Sequence, residues 1–217
     1  MLLSHFVALK DDLRVIDACT GTGVIAFLMA ARQKSAHILG IDIQPQLIAN
    51  AHASRKRNGI EATHVDFSQC DMRTQAKAYR RQFDLMTCNP PFYKLGHGAT
   101  SPDQEVAMAR HEVSLSLAEV FQFATVVLKE RGKLAMIHST SRLDEVIALA
   151  LAHKCKPTRL QLVYARTNEP AKLFLLECCY LGAQTLVVEE PLYIYDDAGC
   201  YRPTIQSWYQ GENPHGE

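Results

Sequence analysis

The residues best suited to chemistry are Asn89-Pro90-Pro91-Phe92, which end the apolar run over 84–88. They set an amide, a rigid carbonyl-presenting corner and an aromatic face side by side. An exocyclic amine conjugated to a purine ring is a poor nucleophile because its lone pair is delocalised. The Asn89 side-chain oxygen and the Pro90 carbonyl can accept its two hydrogens and draw the nitrogen toward a tetrahedral shape, freeing the lone pair. Proline suits the carbonyl position, since its φ is fixed and it has no N–H to compete. Phe92 can stack on an extruded base, as enzymes acting on a nucleobase require. Methyl transfer to a planar amino nitrogen is the chemistry this set serves best. Taken alone, Pro-Pro is also ordinary punctuation after a strand.

A second constellation lies upstream. Asp17-Ala-Cys-Thr20-Gly21-Thr-Gly23 follows a short apolar run and opens an Ala-rich helix. Gly21 and Gly23 let the backbone turn tightly and approach a ligand. Asp42 lies 19 residues beyond Gly23, a spacing that suits a carboxylate accepting the ribose hydroxyls of an adenosine. Gly21-x-Gly23-x-x-Ala26 also satisfies the dinucleotide fingerprint, so NAD survives to this point. Two carboxylates favour S-adenosylmethionine. Asp17 can hold the amino group of a methionine moiety, directly or through water, and Asp71 can accept the amino group of adenine, with Asp66 its competitor. The NPPF corner discriminates further, because a nicotinamide enzyme has no use for it. The cofactor-binding candidates are therefore Asp17, Thr20, Gly21, Gly23, Asp42 with its neighbour Ile43, Asp71 with its neighbour Met72, and Asn89.

Composition sets bounds. The 217 residues carry 23 Lys+Arg against 23 Asp+Glu, so any RNA must bind through a local patch rather than a global field. Seven cysteines without C-x-x-C spacing fit free thiols in a reducing cytoplasm. No stretch approaches a membrane span. No His pairs with Cys or carboxylate at metal spacing, so no metal is expected.

Apolar strands alternating with helices predict one α/β domain over 1–217, an open, mostly parallel sheet covered on both faces. Strands are expected at Arg14–Ala18, His37–Asp42, 62–66, Phe83–Cys88 and 133–138, and a closing antiparallel hairpin from 160–165 and Leu173–Tyr180. Helices are expected over Val24–Arg32, Pro45–Arg57, 75–81, 112–128 and 141–153, the last capped by Ser141. The tail 192–201 reads as two Tyr-bearing strands around an Asp-Asp-Ala-Gly turn. Residues 94–110 read as a long functional loop. The opening Leu2-Leu3-Ser4-His5-Phe6 reads as the tail of a helix whose beginning is missing. Ligands of such sheets bind beyond the carboxyl ends of the strands, where every residue singled out above falls.

Together these motifs resemble class I methyltransferases with a Rossmann-like, seven-stranded sheet, and NPPF resembles the amino-methylating branch. Asn89 to Lys94, Ala109-Arg110-His111-Glu112 and the ending Leu192-Tyr193-Ile194-Tyr195 with Gly199-Cys200-Tyr201 look like the bacterial tRNA1(Val) adenine-37 N6-methyltransferases, over essentially the whole chain. The first glycine of the usual turn is Cys19 here. Residues 2–6 look like the end of the N-terminal helical segment that lines the cofactor pocket in that family. The resemblance implies S-adenosylmethionine as cofactor and tRNA as substrate, with Tyr93, Lys94, Arg110 and His111 on the tRNA, in a cytoplasmic protein with a monomer favoured. A protein glutamine N5-methyltransferase, an rRNA guanine N2-methyltransferase and a non-catalytic S-adenosylmethionine-binding module remain open alternatives.

Overall fold

The computed structural model describes residues 1–91 and 115–210. Strand β1 (Arg14–Ala18) runs at the centre, with β2 (His37–Asp42) and β4 (Phe83–Cys88) parallel on either side. Beyond β2 lies β3 (Val65–Gln69), and beyond β4 lies β5 (Leu128–Ser139), again parallel. Strand β7 (Leu173–Tyr180) enters between β5 and β6 (Cys155–Tyr164) and runs antiparallel to both. Two short strands, β8 (Val187–Val188) and β9 (Leu192–Tyr193), add to the outer side of β6. Among the described residues the sheet thus has nine strands rather than the seven expected, and the β6–β7 hairpin is covered at its edge.

Among the described residues the helices are α1 (Leu2–Phe6), α2 (Val24–Arg32), α3 (Pro45–Arg57), α4 (Met72–Gln75), α5 (Leu117–Val127), α6 (Leu143–Ala152) and α7 (Pro203–Gln210). They cover both faces, so the apolar strands divide their side chains between two cores at period two. Val15, Leu85, Ala135 and Leu175 join Met29, Ile48 and Ile205 on one face. Ile16, Met86, Leu134 and Leu176 join Phe121, Phe123 and Val146 on the other.

Local chemistry explains several boundaries. Pro45 opens α3 where its missing N–H costs nothing, and Gly59, at φ +64°, follows its end. At the start of α5, the Ser116 hydroxyl accepts from Glu119 N at 3.3 Å while Glu119 Oε2 accepts from Ser116 N at 2.6 Å, a reciprocal cap.

Several expectations need correction: β5 spans Leu128–Ser139 rather than 133–138, and β6 spans Cys155–Tyr164 rather than 160–165. The third strand is Val65–Gln69, not 62–66, because residues 62–64 form the turn that leads into it. The polar helix expected over 75–81 is α4 followed by a 3-10 turn, Ala76–Tyr79, with Asp71 capping Arg73 N. Ser141 does not cap α6: a 3-10 turn at Thr140–Arg142 intervenes, held by Ser139, and the α-helix begins at Leu143. In the tail, β9 holds only Leu192–Tyr193, and Tyr195 and Tyr201 form an isolated antiparallel bridge. Helix α7 lies beyond the elements expected from sequence.

Candidate active site

The carboxyl ends of β1, β2, β3 and β4 surround a cavity of about 340 Å³, within the range of small-molecule sites. Its wall includes Cys19 and Gly21 after β1, Asp42, Ile43 and Gln44 after β2, Asp71 and Met72 after β3, and Asn89 and Pro91 after β4. Four separate strand ends converge because a parallel sheet aligns them on one rim.

Asp42 organises the rim. Its Oδ2 accepts from Gly21 N at 3.0 Å and its Oδ1 from Gln44 N at 3.0 Å. Each oxygen keeps acceptor capacity for a ligand hydroxyl. The Asp42 main-chain carbonyl accepts from Cys70 N at 2.9 Å, and Ile41 O accepts from Thr20 N at 3.0 Å, tying the β1 and β3 loops to β2.

Asp17 lies beneath this loop, fully buried and outside the cavity wall. Its two oxygens accept from the hydroxyls of Thr20 and Thr87, each at 2.6 Å. Burial pushes its carboxyl up to about 6, against the pull of those two hydrogen bonds. Thr20 is also buried and anchors the turn rather than lining the cavity. Gly23 has φ +87°, and a Cβ there would sit 2.6 Å from the Phe67 ring, so the close packing of α2 on β3 requires glycine; it lies outside the cavity wall.

The choice between Asp71 and Asp66 has a geometric side. Asp71 borders the cavity, although its Oδ1 and Oδ2 also accept from Arg73 at 2.9 and 2.8 Å. That partner holds the carboxyl below its usual range. Asp66 instead faces α3, with Arg55 at 2.7 Å.

Asn89 is exposed at the cavity mouth, Pro90 is buried behind it and Pro91 is exposed. Phe92, Tyr93, Lys94, Arg110 and His111 lie outside the described residues. Among the lining residues not singled out from sequence are Cys19, Gln44, Leu47, Cys70 and Leu115. Cys70 and Gln44 adjoin residues that were named, so strand-end position could have found them; Leu47 and Leu115 carry no signal distinguishing them from core. The Cys70 thiol in the cavity wall is a poor nucleophile: burial, with the charge of Asp71, pushes it up to about 11. Contact with Cys19 and burial keep the Cys88 thiol well above its ordinary value. Among the described residues no group of three His, Cys, Asp or Glu could hold a metal ion, and no helix is long and apolar enough to cross a membrane.

Comparison with known proteins agrees with this geometry. Residues 9–180 match a methyltransferase domain family. A predicted O-methyltransferase of Agrobacterium tumefaciens superimposes with a TM-score of 0.79 at 19% identity, covering 100% of this chain and 97% of that one. A SAM-dependent methyltransferase of Aquifex aeolicus gives 0.58 at 15% identity, over 80% and 85%. These two likenesses speak for the fold alone. In sequence, the chain is similar to the tRNA1(Val) (adenine(37)-N6)-methyltransferase of Porphyromonas gingivalis, 32% identical over 196 residues, 87% of this chain and 74% of that one. The protein of the same name from Tolumonas auensis is 30% identical over 209 residues, 94% and 83% of the two chains. Matched along most of its length, the chain belongs to the S-adenosylmethionine-dependent methyltransferases, in the family of the tRNA1(Val) (adenine(37)-N6)-methyltransferases.

Proposed function

We propose that the chain transfers a methyl group to N6 of an adenine in tRNA, adenine 37 of a valine tRNA, in the cytoplasm and as a monomer. One observation carries the reading: Asn89 and Asp42, at the ends of different strands, border the same cavity. The residues present fit S-adenosylmethionine. Asp42 suits the ribose hydroxyls, Ile43, Leu47 and Met72 offer apolar surface to the adenine, and Asp71, on the same cavity wall, suits its amino group. Asp17 bears on the methionine amino group through the loop it anchors, or through a water. When bound, S-adenosylmethionine supplies an electrophilic methyl group.

The chain's own residues do the rest by positioning. The Asn89 side-chain oxygen and the Pro90 carbonyl accept the two hydrogens of the substrate amine, and the Phe92 ring stacks on the base. Tyr93, Lys94, Arg110 and His111 hold the tRNA. The amine becomes acidic only after it has gained the methyl group, so its proton leaves to solvent and no strong base is needed. Fixing the amine in line is what accelerates the reaction.

Incubation with labelled S-adenosylmethionine and unmodified bulk tRNA, followed by mass spectrometry of the nucleosides, tests the reading. N6-methyladenosine is expected. Label in protein would favour glutamine methylation, and label on guanine N2 the rRNA-type activity.

A further inference from the structure

The carboxyl rim of the sheet carries a second feature that the cavity does not use. Strand β6 is parallel to β5, so its end at Tyr164 points to the same rim as Asn89. The register carries Cys88 across to Met136, Leu176 and Leu160. Tyr164 therefore lies three strand spacings to the side and four residues further out. That is about 14 Å across and about 13 Å along, roughly 20 Å in all.

Here the tail folds back as a ledge of rings. Tyr193 packs on Tyr164 with centroids 5.2 Å apart. Tyr195 stacks on Tyr201 at 5.1 Å and 20°, and Tyr201 contacts Tyr209 at 5.1 Å. The guanidinium of Arg202 stands 5.3 Å from the Tyr193 centroid and that of Arg166 stands 5.9 Å from the Tyr195 centroid. Tyr201 is 41% exposed and Tyr209 is 61% exposed.

The rings are not needed to close the tail. Its turn is held by main chain, with Asp196 N donating to Cys200 O at 2.9 Å and Arg202 N to Ile194 O at 3.0 Å. Asp196 Oδ1 accepts from Ala198 N and Cys200 N. Helix α7 is anchored by buried Ile205 and by Trp208, which stacks on His5 at 4.4 Å. Tyr201 is held between Tyr195 and Tyr209, and Tyr209, at the end of the row, is the most exposed ring. Rings held in place in this way bind without paying to be immobilised.

Stacked tyrosines interleaved with arginines, in a chain of zero formal net charge, match the chemistry of unpaired nucleotides. Bases stack on the rings and phosphates meet the guanidinium groups. The acidic neighbours do not forbid it. Asp196 is engaged by the turn, and Glu169 holds Arg166 at 2.9 Å in an exposed pair of the weak kind that a phosphate displaces. Asp197, exposed at the turn, bears the remaining charge.

We infer that the ledge of Tyr193, Tyr195, Tyr201 and Tyr209 with Arg166 and Arg202 is a second RNA subsite, which stacks unpaired nucleotides of the substrate on the same rim as Asn89, roughly 20 Å from the entering base. The inference rests on the tRNA reading above.

The test uses the full chain, labelled S-adenosylmethionine and an unmodified valine tRNA transcript. The variants are Tyr209→Ala alone, Tyr201→Ala with Tyr209→Ala, and the same pair changed to Phe. The double Ala variant is expected to raise the tRNA KM roughly 10-fold or more, as loss of base stacking does. Its kcat at saturating tRNA, S-adenosylmethionine affinity and melting temperature should stay near wild type. The single variant should show a smaller rise, and the Phe pair should behave as wild type. An unchanged KM in the Ala variants, while wild type methylates the transcript, overturns the subsite and leaves the function standing. An equal loss in the Phe pair overturns stacking as its basis. A wild-type chain that methylates no tRNA overturns the functional reading, and the subsite with it.

Discussion

The Thr87 hydroxyl donates to Asp17 Oδ1 at 2.6 Å across the two central strands, two residues before Asn89. One buried carboxylate thereby fixes both the turn of the cofactor loop, through Thr20, and the strand that delivers the amide. Its environment raises its pKa from 3.8 to about 6. A carboxyl whose pKa rises on folding favours the folded state when protonated. That contribution is complete below about pH 4 and is lost as pH climbs through 6, on the order of 3 kcal/mol. Asp17→Asn should therefore gain stability relative to wild type between pH 4 and 7. Urea midpoints for both proteins at pH 4.5 and 7.5 would show it, and parallel pH dependences would refute it.

Replacing Asn89 by Ala should lower turnover far more than cofactor affinity, because the side chain is assigned to the substrate amine. A 100-fold fall in kcat, about 2.7 kcal/mol of barrier, with an S-adenosylmethionine Kd within threefold of wild type is the expected pattern. Isothermal titration alongside single-turnover kinetics separates the two. Equal losses would remove Asn89 from this role.

The carboxylate at the end of β2 should have the opposite signature. Asp42→Ala strips Gly21 N and Gln44 N of their acceptor and removes the group proposed for the ribose. Cofactor Kd should rise about 10- to 100-fold, matching a lost hydrogen bond to a charged group. The residual kcat at saturating cofactor should fall much less.

Cys19 occupies the left-handed region at φ 56°, where a side chain strains the backbone and glycine does not. Cys19→Gly should stabilise the protein by about 1 kcal/mol, read as a higher denaturant midpoint at unchanged slope. A loss of stability would mean that the contact between the Cys19 and Cys88 thiols outweighs the backbone strain.

Glu177, 1% exposed on β7, binds Lys133 at 2.8 Å and Arg159 at 3.4 Å. Arg159 in turn lies over the Phe6 ring at 4.4 Å and donates to Phe6 O. Arg159 keeps Glu189 at 2.7 Å and the Lys133 side chain is partly exposed, so Glu177→Ala should cost about 1 kcal/mol. Protection of α1 in hydrogen exchange should fall more than that of β1.

Much of this was legible in the residues themselves. Strands β1, β2 and β4 and helices α2 and α3 had boundaries that apolar period, proline and glycine mark directly, and the strand-end rule put Asp42, Asp71 and Asn89 on one rim. The third strand begins three residues later than expected because 62–64 form the turn into it, and the alternation of Val65 and Phe67 with polar residues marks the strand itself. Thr20 and Gly23 belong to the right motif but not to the cavity wall. Only tertiary contact tells that Gly23 is small because Phe67 crosses it. The Thr87 link to Asp17 spans 70 residues, and no local pattern announces it. Helix α7 was hidden because its apolar contacts, Ile205 and Trp208, are too few to give a period.

The insertion of β7 between β5 and β6 also matters while the protein is being made. A nascent chain can assemble the β1–β4 half as it emerges, yet the 12-residue β5 waits on one flank until Leu173 and its successors leave the ribosome. During that interval β5 presents an unpaired edge, which is a template for joining a neighbouring polypeptide. The speed of translation through the segment between β5 and β7 thus bears on the yield of correctly assembled molecules.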